Sequence, residues 1–246
     1  MSENFRPVNN TPPANFIGRL KFFGRMILDL QILTIYRDLK KVLPNYTGKT
    51  LDIGCGQSPY RFLLNKQDTQ YYGIDIGDAD KFDYNNQEIT TFNGEDIPFK
   101  NDEFDGVICT EVLEHVENYQ KLINEMHRVM KKNATAIITI PWSARYHYIP
   151  FDFFRYTPSS LKTMFKSFSS VEIKSRGNDI ANIGNKVIIL WFRNLLPINK
   201  FLYLLAPIWL LLSPILALMV VISHVAITFN LGSVEDPLGY TIIVKK

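Results

Sequence analysis

From about residue 50 to residue 176 the chain alternates short apolar runs with stretches of helical spacing. Residues 50–53, 71–75, 105–110, 134–140 and 171–174 read as strands, 88–92 as a weaker strand, and 240–244 as a last one after Pro237 and Gly239. Between the fourth and fifth runs, Val116, Leu122, Ile123, Met126, Val129 and Met130 recur at the interval of one helix face, which predicts a crossover helix over 116–130. Strands joined by helices close a parallel sheet through right-handed crossovers. The expected fold class is therefore α/β, a doubly wound, mostly parallel sheet of seven strands.

Two stretches depart from that rhythm. Residues 201–230 contain no Asp, Glu, Lys or Arg, a run longer than the roughly 20 residues of a membrane span. Near the other end, Phe16, Ile17, Leu20, Phe23, Ile27 and Leu30 share one helical face, with Arg19, Lys21 and Arg25 mostly off it. A basic amphipathic helix suits an anionic lipid surface; a helix covering the sheet gives the same pattern.

Charge changes the picture by its position. The total is only +3, too little to indicate a nucleic-acid partner, but residues 1–50 carry a net +5, residues 51–120 a net −11 and residues 121–246 a net +9. The two cysteines, Cys55 and Cys109, offer neither a disulfide framework nor zinc spacing and suit a reducing compartment. No metal site is expected. The N-terminus lacks the basic-then-apolar order of a signal peptide.

Candidate chemistry concentrates where the first strand ends, in Leu51-Asp52-Ile53-Gly54-Cys55-Gly56-Gln57-Ser58. Glycines at 54 and 56 let the backbone turn sharply and approach a ligand with no Cβ in the way. Asp52 could receive a ligand ammonium. Asp75, at the end of the second strand, stands where dinucleotide folds place an acid for ribose hydroxyls. An acidic middle block suits a cationic ligand better than a pyrophosphate.

These residues, with Glu95–Phe99 (EDIPF), Phe104-Asp105, Glu111–Val116 (EVLEHV) and Arg128-Val129-Met130, resemble the class I S-adenosylmethionine-dependent methyltransferases, nearest to the small-molecule branch that includes quinone methyltransferases. The resemblance covers roughly 46–176 plus the last strand. It implies a Rossmann-like methyltransferase fold and S-adenosylmethionine as cofactor, with Asp52, Gly54, Cys55 and Gly56 along its methionine part. It further implies Asp75 on the ribose, Ile76 on adenine, Asn93 and Gly94 near the adenine edge, and Thr110 and Glu111 beside the sulfonium and the acceptor. Three positions depart from the family: Ser58 stands where a third glycine is common, Asn93 where an aspartate is usual, and Lys131-Lys132-Asn133 where Pro-Gly-Gly often precedes the fifth strand.

The long aromatic segment 141–158 follows the fifth strand, where an open α/β sheet builds its substrate site. Its ordered set His147, Pro150, Asp152, Arg155 and Thr157 resembles, more loosely, methyltransferases of bacterial glycan and lipid-linked saccharide pathways. Methyl transfer from a sulfonium is an in-line displacement that depends on positioning. An oxygen acceptor must also lose a proton, and a histidine suits that task. His147 and Glu111 are the catalytic candidates, with a loop-capping role as the alternative for His147. His115 reads as structural, and Asp152 with Arg155 as an ion pair that fixes the loop.

In the family the final strand lies antiparallel beside the other late strands, so all must share one compartment. Thirty helical residues reach about 45 Å, enough for one crossing of a core about 30 Å thick but not for two, and Pro207 and Pro214 interrupt them. A kinked re-entrant hairpin satisfies both conditions, with Lys200 and Glu235 on the cytoplasmic face. The alternatives are a homodimer interface through the apolar insertion and an apolar helical cap. The expected organisation is an amphipathic helical region at 1–45, a methyltransferase domain at 46–176 and 238–246, and an apolar membrane-associated insertion at 177–237. The expected function is a monotopic methyltransferase acting on a lipid-linked saccharide, an isoprenoid lipid or another small-molecule acceptor, with no nucleic acid. A quinone-ring methyltransferase and a non-catalytic cofactor-binding scaffold are the alternatives.

Overall fold

The computed structural model describes residues 11–76, 89–197 and 200–246. Glu88, expected to open the third strand, and residues 1–10 of the N-terminal region lie outside them.

Seven strands form one sheet: β1 Gly48–Ile53, β2 Thr69–Ile76, β3 Ile89–Phe92, β4 Phe104–Thr110, β5 Met130–Pro141, β6 Ser170–Arg176 and β7 Gly239–Lys245. Their order is β3-β2-β1-β4-β5-β7-β6. The pairs from β3 through β5 are parallel, while β7 runs antiparallel to both β5 and β6. The expected doubly wound, mostly parallel seven-stranded sheet is the fold observed. Its central strands are buried on both faces, which is why β4 reads as the continuous run Val107-Ile108-Cys109 rather than an alternation.

Helices α1 Phe16–Arg25, α2 Leu30–Val42, α5 Asp179–Leu195 and α7 Ser213–Phe229 lie over one face, and α3 Tyr119–Val129 and α4 Pro158–Met164 over the other. The crossover helix is shorter than its apolar spacing suggested. Leu113–His115 forms a tight 3-10 turn and Val116 is extended, so α3 begins only after Asn118. At the far end Met130 leaves the helix to open β5. There the pairing passes from Phe104↔Met130 to Gly106↔Thr135, a bulge in which Asn133 takes φ +67°.

The N-terminal region is two helices, because Asp29 breaks the pattern: its carboxylate accepts from the Ile32 N–H at 3.1 Å to cap α2, and binds Arg25 at 2.8 Å. Leu30 is consequently buried beside α2's core face. Phe22 and Met26 anchor α1, whereas Phe16, Ile17 and Leu20 face outward. The apolar stripe of α1 thus faces away from the sheet.

The charge-free run, entered through a 3-10 segment Lys200–Leu205 that begins one residue before it, continues as α6 Ala206–Leu211 and α7, with Pro207 and Pro214 in the first turns of α6 and α7. No single helix among the described residues is long and apolar enough to cross a membrane. The run returns to its start: the Asn178 amide donates to the Ala226 carbonyl, and Asp179 exchanges hydrogen bonds with Ser233. The inner face of α5, with Ala181, Gly184 and Ile188, packs into the core, so this part of the stretch expected as an apolar membrane-associated insertion also belongs to the helical layer.

Candidate functional site

Strand order reverses at β1, between β2 on one side and β4 on the other, and an open α/β sheet binds its ligand outside the strand ends at such a point. A cavity of about 990 Å³ opens there. It has two halves.

One half is built largely from backbone. Gly54 adopts φ +66°, and a Cβ there would come within 2.4 Å of Val112 Cγ2. The Gly54 and Cys55 N–H groups both donate to the Ile74 carbonyl, which ties the turn to β2. Asp75 accepts from the Gly56 N–H at 2.7 Å and from the Ile76 N–H at 2.8 Å. Burial pushes its carboxyl upward, against those two bonds. Gly54, Cys55, Gly56, Asp75, Ile76, Gly94, Thr110 and Glu111 all line the cavity. The buried Oε1 of Gln57, also in the lining, has no hydrogen-bond partner among the described residues.

Asp52 and Asn93 do not line it. Asp52 is buried behind the loop, where the Tyr71 hydroxyl bridges it to Ser58 Oγ at 2.7 Å on each side. Burial pushes the Asp52 carboxyl up to about 7, and the Tyr71 hydrogen bond offsets only part of that. Ser58 occupies the third glycine position at φ +54°, a left-handed conformation. Asn93 holds a turn instead: its side chain accepts from the Glu95 and Asp96 N–H groups and donates to Asp96. That turn presents Gly94, at φ +85°, to the cavity.

Glu111 sits just past β4 at φ +54°. Its Oε1 meets Arg176 Nη2 at 2.7 Å, and the Arg176 side chain is fully buried. The same guanidinium donates to the Ile140 and Tyr240 carbonyls and lies within 3.5 Å of Gln31 and Thr34 oxygens on α2. Sequence reasoning missed Arg176, because a charged residue closing the strand SVEIKSR looks solvent-exposed.

Side chains from distant segments build the other half. Glu111–Val116 clamps the aromatic segment through backbone groups. The Glu114 carbonyl accepts from the Phe153 N–H, the Leu113 carbonyl from the Tyr156 hydroxyl, and His115 Nδ1 lies 2.6 Å from the Phe151 carbonyl. Asp152 is buried and accepts from the His147 N–H at 3.0 Å and from both ends of Arg155. Burial raises the Asp152 carboxyl, but the Arg155 hydrogen bonds, the His147 N–H bond and the charge of Arg155 together outweigh it and hold it below the usual carboxylate range. His147 Nδ1 lies 2.8 Å from the Arg145 carbonyl and 3.1 Å from Asp152 Oδ2. Two acceptors at Nδ1 place the proton there and leave Nε2 as the basic nitrogen.

His115, expected to be structural, also lines the cavity, its ring edge-on to His147 at 4.9 Å. Burial pushes it down to about 4, so it is neutral. The neighbouring Glu114 is fully buried with neither carboxyl oxygen hydrogen-bonded among the described residues, His115 Nε2 standing 3.6 Å from Oε1, and burial pushes its carboxyl well upward. The wall opposite comes from α2 and α5, with Ile32, Ile35, Ile188 and Ile189. Sequence reasoning missed these residues too, since their helical spacing looks like ordinary core.

Residues 51–138 match the family described as "Methyltransferase domain". An uncharacterised protein of Methanocaldococcus jannaschii is 30% identical over 132 residues, 52% of this chain and 56% of that protein. A ubiquinone biosynthesis O-methyltransferase of Rickettsia canadensis is 31% identical over 121 residues, 44% of this chain and 47% of that protein. The chain thus spans about half the length of the curated relatives it matches. A solved SAM-dependent methyltransferase from Archaeoglobus fulgidus shares the fold with TM-score 0.55 at 20% identity, covering 94% of this chain and 99% of that one.

Proposed function

We propose that this chain, which carries a class I S-adenosylmethionine-dependent methyltransferase domain, methylates an oxygen of a membrane-associated acceptor such as a lipid-linked saccharide or an isoprenoid lipid. The cavity fits the cofactor. A β-carbon at Gly54 would close the cradle, the Asp75 carboxylate suits ribose hydroxyls, and Gln57 Oε1 has no hydrogen-bond partner among the described residues. Bound S-adenosylmethionine supplies a methyl group on a cationic sulfur, and the protein's own task is to position and to move a proton.

The observation that carries the reading is the Asp152–His147 pair. A buried carboxylate, held ionised by Arg155, orients His147 so that Nε2 is the nitrogen able to take a proton from an acceptor hydroxyl. Glu111, fixed by Arg176, gives the cavity a carboxylate that favours positive charge. Membrane association is supported by the outward apolar faces of α1 and the charge-free run, where Phe201 and Leu204 are each 82% exposed and Leu211 80%. Burying such a side chain in lipid gains about 1.5–3 kcal/mol. Exposed patches of this kind mark interaction sites.

Incubating the full chain with membrane extract and methyl-labelled cofactor tests the reading by mass spectrometry. Label in a saccharide- or isoprenoid-bearing lipid supports it. Label in a quinone establishes the second reading, which the Rickettsia relative favours, and absence of any labelled product leaves a binding scaffold. Membrane association is tested separately. Serine at Phe201, Leu204 and Leu211 together should abolish flotation with vesicles, and unchanged flotation rejects the docking face.

A further inference from the structure

The cavity is not sealed on its α2–α5 side. Leu28, in the link between α1 and α2, and Phe192, late in α5, both line it and are also 36% and 38% exposed, so they stand at a mouth. Behind them the wall continues as Ile32, Ile188 and Ile189, with Gln31 and Asn185 as its polar members.

What flanks this mouth is apolar as well. Next to Leu28, Ile27 is exposed, and its carbonyl lies 3.0 Å from His224 Nε2 on α7. The Trp191 indole N–H beside Phe192 donates to the Trp209 carbonyl on α6 at 2.8 Å. Both rims are therefore bonded directly to the charge-free run, whose outer side chains Leu211, Leu218 and Val221 face away from the protein. Two guanidiniums, Arg25 and Arg193, also line the cavity, and the carboxylate of Asp29 is already engaged by Arg25. An apolar opening set in an apolar face and accompanied by cations matches the chemistry of a lipid–water boundary.

Resting on the methyltransferase reading above, we propose that the gap between Leu28 and Phe192 is a lateral portal, through which the hydrocarbon tail of an amphiphilic acceptor passes from the bilayer while its polar head reaches His147. The substrate class is then a long-chain amphiphile. A water-soluble small molecule has no use for an apolar exit on the lipid-facing flank. A tail left in lipid also keeps its burial energy during catalysis, so only the head must leave its surroundings.

The probe is a long-chain fatty alcohol carrying a photoreactive diazirine, incorporated into phosphatidylcholine–phosphatidylglycerol vesicles with the full chain. After irradiation, adducts are mapped by mass spectrometry. The expected adducts fall on Leu28, Ile32, Ile188 or Phe192 as well as on the outer flank. Phe192→Glu should cut the inner adducts by about tenfold, because a carboxylate at an apolar mouth opposes tail entry by at least 1.4 kcal/mol, and should leave outer adducts and cofactor affinity as they were. Adducts confined to the outer flank, or inner adducts indifferent to Phe192→Glu, overturn the portal while membrane docking stands. A chain that fails to float with the vesicles overturns docking itself, and the portal with it.

Discussion

The two halves of the cavity are built by opposite means. The half around Gly54 and Asp75 uses backbone turns and side chains that bond within their own loop or to the adjacent strand. The half around His147 is assembled from segments far apart in sequence: α2, the turn after β4, the segment after β5, and α5. Glu111 joins them, held by an arginine 65 positions later. A nucleotide-like ligand requires fixed backbone, and short sequence motifs encode fixed backbone. An acceptor requires a shaped wall, and only tertiary packing makes one.

The sharpest way to break this comparison is at the joint. Arg176→Met removes a fully buried cation and strands Glu111, so unfolding free energy should fall by about 3–5 kcal/mol, read by denaturant titration. The double change with Glu111→Leu should recover most of the loss, and failure to recover would assign Arg176 to its carbonyl contacts alone.

A change on the acceptor side alone should spare the cofactor side. His147→Ala should lower turnover by about 10²–10⁴-fold while calorimetric affinity for S-adenosylmethionine stays constant; near-normal turnover reduces His147 to a loop residue. Asp75→Ala is the reciprocal case. It should weaken cofactor binding by about 1–3 kcal/mol, and an unchanged affinity would remove Asp75 from the ribose site.

A pH-dependent effect lies behind the cofactor loop. Asp52 titrates near 7 when folded, above an ordinary carboxyl near 4. Between those values the folded state holds a proton that the unfolded state has lost, so this residue makes stability fall as pH rises through that window, and the full contribution is present only below it. Asp52→Asn should therefore gain stability relative to the parent across pH 4 to 7, by about 1.4 kcal/mol per pH unit at most. A difference independent of pH would show that Tyr71 keeps the carboxylate ionised.

Legibility followed the same division. The alternation of apolar runs showed the strands and their parallel crossovers, since strand period and crossover handedness are local properties, while the antiparallel last strand was legible only through the family resemblance. Gly54 and Gly56 could be read because each acts through its own backbone, and Asp75 because its carboxylate binds backbone N–H groups in the loop after β1 and at the end of β2. Asn93 and Asp52 could be located but not oriented: one cap and one hydroxyl bridge, invisible in sequence, turn them from the cavity. Arg176, Ile188 and Phe192 carry no local signal, because their partners sit on other elements. The charge-free run was legible as apolar, but its division at Pro207 and Pro214 and its contact with α5 depend on packing.

That contact has a mechanical consequence. A Cβ on Gly184 would lie 1.8 Å from Ser223 Oγ, so α5 and α7 approach as closely as a missing side chain allows. Their ends are tied again where Asn178 meets Ala226. Close packing and that bond hold α7 against α5, and α5 is at once its inner support and a wall of the cavity. A displacement of α7 is therefore carried to the wall of the cavity through the geometry of a single helix pair.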